Sequence, residues 1–232
     1  MNILITGASS GIGYELAKRF VDNKENQVFV VARREARLRQ LMEETAHSPG
    51  KMDYLCFDLE KDDVVRDLLP VVIDHLGKID VLINNAGLLI NKPFEQLVAL
   101  DFDRIFAVNV KSVFLLVQAL LPHFNSSAHI VNMSSMGGVQ GSAKFPGLSL
   151  YSAAKGAVSI LTECLAEELK EKEIRVNALA IGAVQTEMLS QAFPGYKAPL
   201  SPSEMAAFVA DFAVSGHRYF NGKILPVSVS TP

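Results

Sequence analysis

An apolar run that stops abruptly at glycine opens the chain and restricts its fold more than any later stretch. Asn2-Ile3-Leu4-Ile5-Thr6 is short and continuously apolar, as expected of a strand buried on both faces of a parallel sheet. Thr6-Gly7-Ala8-Ser9-Ser10-Gly11-Ile12-Gly13 follows, and Ile12, Leu16, Phe20 and Val21 then fall on one helical face. A strand, a glycine turn and a helix N-terminus together form a receptor for phosphate. Glycine lets the backbone approach the anion, while free amides and the helix dipole face it. The spacing is G-x-x-x-G-x-G rather than G-x-G-x-x-G, and no Gly-Lys-Ser/Thr follows, so a phosphate-loop NTPase is a poor fit. The competing reading is a tight βα connection without a ligand.

The same alternation continues. Gln27-Val28-Phe29-Val30-Val31-Ala32 reads as a second strand, followed by a helix from Glu35 to Ala46. Met52-Asp53-Tyr54-Leu55-Cys56-Phe57 reads as a third strand ending at Asp58-Leu59, followed by an amphipathic helix from Asp62 to His75. Ile79-Asp80-Val81-Leu82-Ile83 is a fourth strand that ends in Asn84-Asn85-Ala86-Gly87. Strand-helix alternation predicts a parallel sheet with helices on both faces and a ligand beyond the carboxyl ends of the strands. At 232 residues with 49% apolar content, the chain suits a single α/β domain, residues 1–232, with one large core. Its net charge of -3 points to neither nucleic acid nor a membrane surface. No apolar run reads as a membrane span, and no signal peptide precedes the first strand. Cys56 and Cys164 read as buried free thiols of a reducing, cytoplasmic compartment. The five histidines lack metal-ligand spacing, so no metal site is expected.

The second strand ends at Arg33-Arg34 with no Asp or Glu beside it. In a dinucleotide site this strand end meets the adenosine ribose, where a carboxylate accepts from the NAD 2′-hydroxyl and arginine receives the NADP 2′-phosphate. The pattern points to NADP(H), with NAD(H) as a weaker alternative. Otherwise the two arginines are a solvated helix start.

Leu97 to His123 reads as one long helical region with Asn109 in its middle. His129-Ile130-Val131-Asn132-Met133 is a fifth strand ending at Ser134-Ser135, and a helix from Ser152 to Lys170 follows. Tyr151 and Lys155 are four residues apart, which stacks them on one helix face. An ammonium beside a phenol favours the phenolate and lowers its pKa, a use that a plain surface Tyr-Lys pair lacks. Glu173-Ile174-Arg175-Val176-Asn177-Ala178-Leu179 is a sixth strand, Ser203 to Phe212 a short helix, and Ile224-Leu225-Pro226-Val227 an edge strand.

Taken in order, Thr6-Gly7-x-x-x-Gly11-Ile12-Gly13, Asp58-Leu59, Asn84-Asn85-Ala86-Gly87, Asn109, Ser134-Ser135, Tyr151-x-x-x-Lys155 and Ile174-Arg175-Val176-Asn177 resemble a short-chain dehydrogenase/reductase from residue 2 to residue 228. The resemblance implies a Rossmann-like, doubly wound sheet of seven parallel strands and a nicotinamide cofactor. It implies a tetrad: Tyr151 as acid or base, Lys155 tuning Tyr151 and holding the nicotinamide ribose, Ser135 on the substrate oxygen, and Asn109 holding a relay water. It places the cofactor against Gly7, Ser9, Ser10, Gly11, Ile12, Gly13, Arg33, Arg34, Asp58, Leu59, Asn85, Ala86, Gly87, Tyr151, Lys155, Val184 and Thr186.

Three departures from the family pattern stand out. Ser135 and Tyr151 are sixteen positions apart, three more than usual, and the extra residues fall between Gly137 and Gly147. That insertion leaves Ser134 as an alternative to Ser135. Ile181-Gly182 replaces the usual Pro-Gly after the sixth strand, which loosens a turn. The segment from Glu187 to Ser201, where the family keeps its lid, is short, so the pocket is expected to be shallow or open. Phe145, Leu148, Leu150, Met188, Leu189, Phe193 and Tyr196 form an apolar set that suits a substrate pocket or packing under a lid.

The expected activity is carbonyl reduction or alcohol oxidation on a small molecule. The alternatives are a 3-oxoacyl thioester reductase and a non-catalytic cofactor-binding sensor or scaffold. Apolar stripes at Ala154, Val158, Leu161, Leu165 and Ala166, and at Val110, Phe114, Leu115, Val117 and Leu121, point to a homodimer or homotetramer.

Overall fold

The computed structural model describes residues 1–229. Seven strands form one parallel sheet in the order β3-β2-β1-β4-β5-β6-β7. They are β1 (Asn2–Thr6), β2 (Gln27–Ala32), β3 (Lys51–Cys56), β4 (Ile79–Asn84), β5 (Phe124–Ser135), β6 (Arg175–Ile181) and β7 (Ile224–Val227). The α-helices are α1 (Gly11–Val21), α2 (Glu35–Glu44), α3 (Leu69–Leu76), α4 (Ala99–Phe106), α5 (Ser112–Leu120), α6 (Ser149–Glu168), α7 (Glu187–Ala192) and α8 (Pro202–Ser215). Each sheet face has its own apolar layer. On one face Ile3, Ile5 and Val30 pack with Leu16, Phe20 and Val209. On the other, Leu4, Phe29 and Leu82 pack with Val72, Leu116 and Leu120. Burial of each such side chain contributes about 1.5–3 kcal/mol, and alternate residues of a single strand feed both layers. This is the doubly wound α/β fold that the strand-helix alternation predicts.

Several boundaries differ from expectation, each for a local reason. The helix expected over Asp62 to His75 is an entry turn, Val64–Leu68, followed by α3. Asp63 caps that turn by accepting from the amides of Val65 at 2.9 Å and Arg66 at 3.0 Å. Pro70 lacks the amide that would continue a regular helix, so the turn there is wide. The long region Leu97 to His123 is interrupted by another wide turn, Ala107–Lys111, centred on Asn109. The Asn109 amide donates to the Ile105 carbonyl at 2.9 Å, so a side chain competes for a ladder acceptor. β5 begins at Phe124 and runs through Ser135, longer than the expected run, and β6 is shifted to Arg175–Ile181.

The helical run Ala99–His123 has the length of a membrane span and contains an 18-residue window of mean hydropathy 1.8, which revises the expectation that no such stretch exists. Val113, Leu116, Val117 and Leu120 account for part of that hydropathy by packing on the sheet. Cys56 and Cys164 are free and exposed rather than buried. Much of the expected interface stripe points inward: Ala154, Val158, Ala166 and Val117 are core residues. The apolar side chains left open on these helices are Leu100, Phe102, Phe114 and Ile160.

Candidate active site

The strand order reverses between β1 and β4, and in such sheets the crevice for a ligand opens at that switch point. A cleft of about 730 Å³ lies there, at the carboxyl ends of the strands. Its floor is built from the glycine turn. Gly7 has φ +74°, and a Cβ on it would stand 2.7 Å from the Ala86 Cα. The hydroxyl of Thr6 accepts from the amides of Asn85 and Ala86, both at 3.1 Å. The Asn85 side chain donates to the carbonyls of Thr6 at 3.0 Å and Gly7 at 3.1 Å. The ends of β1 and β4 are thereby stitched together, and the Asn85 side chain is spent on that stitching. Ser10 caps α1 without a side-chain bond, which leaves the first-turn amides open to an anion.

Among the residues nominated from sequence, Gly7, Ser9, Ser10, Gly11, Ile12, Arg33, Arg34, Asp58, Leu59, Asn85, Ala86, Gly87, Ser135, Tyr151, Lys155, Val184 and Thr186 line this cleft. Gly13 and Asn109 do not. A Cβ on Gly13 would fall 2.4 Å from the Asn85 Nδ2 and 2.5 Å from the Gly7 oxygen, so this glycine serves packing beneath the turn. Asn109 is buried. Its side chain donates to the Leu88 carbonyl at 2.8 Å and accepts from the Leu88 amide at 3.3 Å. It stands directly behind Gly87, whose Cβ position is 3.2 Å from the Asn109 Oδ1 and 3.7 Å from the Lys155 Nζ.

The two serines separate cleanly. The Ser134 hydroxyl is buried, 3.0 Å from the Lys155 carbonyl and 2.9 Å from the Ser159 hydroxyl. Ser135 lines the cleft, caps the turn after β5 by accepting from the Gly137 amide at 3.2 Å, and is near enough to the Tyr151 phenol to favour its ionised form. The residues inserted after it form a loop closed by the Ser142 hydroxyl on the carbonyls of Met136 and Val139. The extra residues thus form a self-contained excursion between Ser135 and Tyr151. Beyond β6, the amide of Gly182 donates to the Val227 carbonyl at 2.9 Å, so the turn that lacks proline is tied into the sheet.

Burial dominates the electrostatics. It pushes the Tyr151 phenol up to about 12, against a smaller opposing effect of the Ser135 hydroxyl. It pulls the Lys155 ammonium down to about 8. The Lys155 Nζ donates to the Met133 carbonyl at 2.7 Å and lies 5.8 Å from the Tyr151 ring centroid. The expected lowering of the phenol by Lys155 is therefore absent in the protein by itself.

At the end of β2 the fold supplies the carboxylates that the strand sequence lacks. Asp58 and Glu60 come within 4.0 and 3.9 Å of the Arg33 guanidinium. Arg34 is held by Ser9 and by Glu187, a residue that the sequence did not single out. Of the apolar pocket set, Phe145, Leu148, Met188, Leu189, Phe193 and Tyr196 line the cleft and Leu150 does not. α7 brings Met188 and Leu189 over the cleft, so the short lid segment is folded.

A cleft at the switch point of a doubly wound sheet, floored by a glycine turn and lined by Ser135, Tyr151 and Lys155, fits a nucleotide-dependent oxidoreductase. The family model for short chain dehydrogenase matches residues 1–197. A 3-oxoacyl-[acyl-carrier-protein] reductase from Thermotoga maritima is 31% identical, the match covering 97% of this chain and 94% of the relative. A 3-ketoacyl-(acyl-carrier-protein) reductase from Brucella melitensis, solved with NADH, is 32% identical over 97% of this chain and 96% of that one, with a TM-score of 0.86. A short chain dehydrogenase from Burkholderia cenocepacia in complex with NADP is 26% identical over 99% and 96%, with a TM-score of 0.87. The chain belongs to the short-chain dehydrogenase/reductase family, and it is an NAD(P)-dependent oxidoreductase.

Proposed function

We propose that the protein is an NADP(H)-preferring reductase of a small-molecule carbonyl that works through Ser135, Tyr151 and Lys155, with Asn109 behind them. The observation that carries this reading is the convergence of the Ser135 hydroxyl, the Tyr151 phenol and the Lys155 ammonium on one cleft, with the Lys155 Nζ 5.8 Å from the Tyr151 ring centroid. The glycine turn with its open helix amides fits the pyrophosphate of a dinucleotide, and Arg33 and Arg34 fit a 2′-phosphate. A bound nicotinamide supplies the hydride. Ser135 then holds the substrate oxygen, and Tyr151, protonated at neutral pH, delivers the proton to it. Lys155 holds the ribose hydroxyls once a ligand competes for its bond to Met133. Asn109 fixes the Leu88 backbone and the wide turn behind Lys155, the role from which it would support a proton relay to the ammonium.

The relatives that reduce 3-oxoacyl thioesters favour that substrate class as the specific alternative, and the apolar side chains over the cleft suit an acyl chain. We place the enzyme in the cytoplasm, where its two free, exposed cysteines stay reduced. We also expect a homodimer or homotetramer that covers Leu100, Phe102, Phe114 and Ile160.

The test is NADPH and NADH oxidation with ketones, aldehydes and 3-oxoacyl thioesters, for the native protein and Tyr151→Phe. The variant should lose ~10²–10⁴ in kcat while binding cofactor normally. Near-native turnover would remove Tyr151 from the chemistry, and no turnover of any carbonyl by the native protein would favour a binding role. Equal kcat/KM for the two cofactors would refute the NADP preference.

A further inference from the structure

Each arginine at the end of β2 meets a carboxylate, and the two meetings differ. Arg33 stands 4.0 Å from Asp58, beyond hydrogen-bonding distance. Arg34 is engaged directly: its Nε donates to the Ser9 hydroxyl at 3.2 Å, one Nη to the Ser9 carbonyl at 3.4 Å, and the other Nη to the Glu187 Oε2 at 2.8 Å. A guanidinium has five N–H donors, so three are committed before any ligand arrives. Glu187 is the first residue of α7, and it lines the cleft beside the glycine turn together with Ser9 and Ser10. The Arg34 contact, aided by the more distant Arg37, holds the Glu187 carboxyl below its ordinary range, so it is an anion at neutral pH. Asp58 and Glu187 are the two carboxylates lining the cleft among the described residues.

We propose that Glu187 is a specificity-determining residue that competes with the adenosine 2′-phosphate for Arg34 and so tempers the preference for NADP(H) over NAD(H). This rests on the reading that the arginines at the end of β2 receive that phosphate. A phosphate seeking two N–H groups of Arg34 must displace or share the Glu187 contact, and it meets the negative charge of Glu187 as it does so. NAD carries no such phosphate and leaves the pair intact. The pair is nearly half exposed on both sides, with side-chain exposures of 43% and 44%. Its removal should therefore shift affinity by only about 2- to 5-fold, the span of an exposed ion pair.

The experiment is calorimetric binding of NADP⁺ and NAD⁺ to the native protein, Glu187→Gln, Arg34→Ala and the double variant. Glutamine keeps the side-chain length and removes the charge. Glu187→Gln should tighten NADP⁺ by about 2- to 5-fold and leave NAD⁺ unchanged, and the gain should vanish in the Arg34→Ala background. A Glu187→Gln protein that binds both cofactors as the native one does, or shifts both alike, overturns the inference and leaves Glu187 as a lid contact. If instead Arg34→Ala leaves the ratio of the two affinities unchanged, the underlying reading of Arg34 has failed.

Discussion

The Lys155 Nζ lies 2.7 Å from the Met133 carbonyl oxygen and 5.8 Å from the centroid of the Tyr151 ring, one helical turn away. A buried ammonium with a backbone acceptor is therefore stored beside a partly buried phenol that lines the cleft, and in the free protein neither group has been brought to the charge state that a base would need. The arrangement favours Tyr151 as a proton donor, the role required in carbonyl reduction. Its consequences for stability and for pH dependence can be separated.

Lys155→Met should inactivate the enzyme and stabilise the fold. Burial lowers the Lys155 pKa from 10.5 to about 8, which corresponds to about 3 kcal/mol of destabilisation while the charge is retained. Because the folded pKa lies below the unfolded one, this deficit is complete below pH 8 and relieved between about pH 8 and 10.5. Leaving the Met133 carbonyl without its donor offsets roughly 1–2 kcal/mol of the gain. A net rise in Tm of about 2–8 °C at pH 7 is expected in thermal unfolding, alongside loss of turnover. A variant less stable than the native protein would show that the ammonium is a net structural support.

The reduction rate should hold steady from pH 6 to about 8 and fall above that as Lys155 loses its charge. Alcohol oxidation should keep rising with pH, since a phenol pushed up to about 12 supplies more base at each step. Paired kcat/KM profiles in the two directions test this. A reduction rate already declining between pH 6 and 7 would mean that a different group donates the proton.

How far the sequence reaches can be judged on particular residues. The sheet is legible because each central strand is a short apolar run with a glycine or polar stop, a local pattern that fixes a buried parallel strand. Tyr151 and Lys155 are legible because helical spacing alone puts them on one face. The choice between Ser134 and Ser135 is not, because it depends on which of two neighbouring hydroxyls turns toward Lys155 and Ser159. The Arg34–Glu187 pair joins positions 153 residues apart, one just before α2 and the other opening the six-residue α7, and nothing local announces it. The inward direction of Val158 and Ala166 was hidden too, since an apolar helix stripe reads alike whether a sheet or a second subunit covers it.

Acid should weaken the fold through His129. Its Nδ1 faces the Ala213 carbonyl at 2.9 Å, and its Nε2 lies 3.0 Å from the Asn177 Nδ2, which assigns the proton to Nδ1 and makes Nε2 an acceptor. Protonating Nε2 would set donor against donor inside the core. Burial accordingly lowers the pKa from 6.5 to about 4. A histidine with a depressed folded pKa binds fewer protons than in the unfolded chain, so stability falls as pH drops from about 6.5 to about 4. About 2 kcal/mol should be lost by pH 5 and about 3 by pH 4, with His217 shifted in the same direction. Urea unfolding at pH 7 and pH 5 measures it. A His129→Gln variant should show a flatter pH dependence, and an equal slope in both proteins would assign acid sensitivity elsewhere.

Two glycine substitutions should act with opposite sign. Gly13 sits in the first turn of α1, and a methyl there would lie 2.4 Å from the Asn85 Nδ2 and 2.5 Å from the Gly7 oxygen. Those two atoms are themselves hydrogen-bonded at 3.1 Å, so the added carbon would wedge apart the contact that holds the glycine turn against the end of β4. Overpacking of this kind costs about 1–3 kcal/mol, and the displaced turn should also weaken cofactor binding by roughly 10-fold or more. Gly156 lies within α6, and a methyl there would meet only the Gly138 oxygen at 3.4 Å, an ordinary contact. Replacing glycine by alanine in a helix interior favours the helix by about 0.5–1 kcal/mol. Gly13→Ala should therefore lower Tm and raise the cofactor Kd, while Gly156→Ala raises Tm by a few degrees and leaves Kd unchanged. Thermal unfolding together with fluorescence titration of NADPH separates the two effects. A Gly13→Ala protein with native stability and affinity would show that the glycine turn can yield by several tenths of an ångström without losing its grip on Asn85.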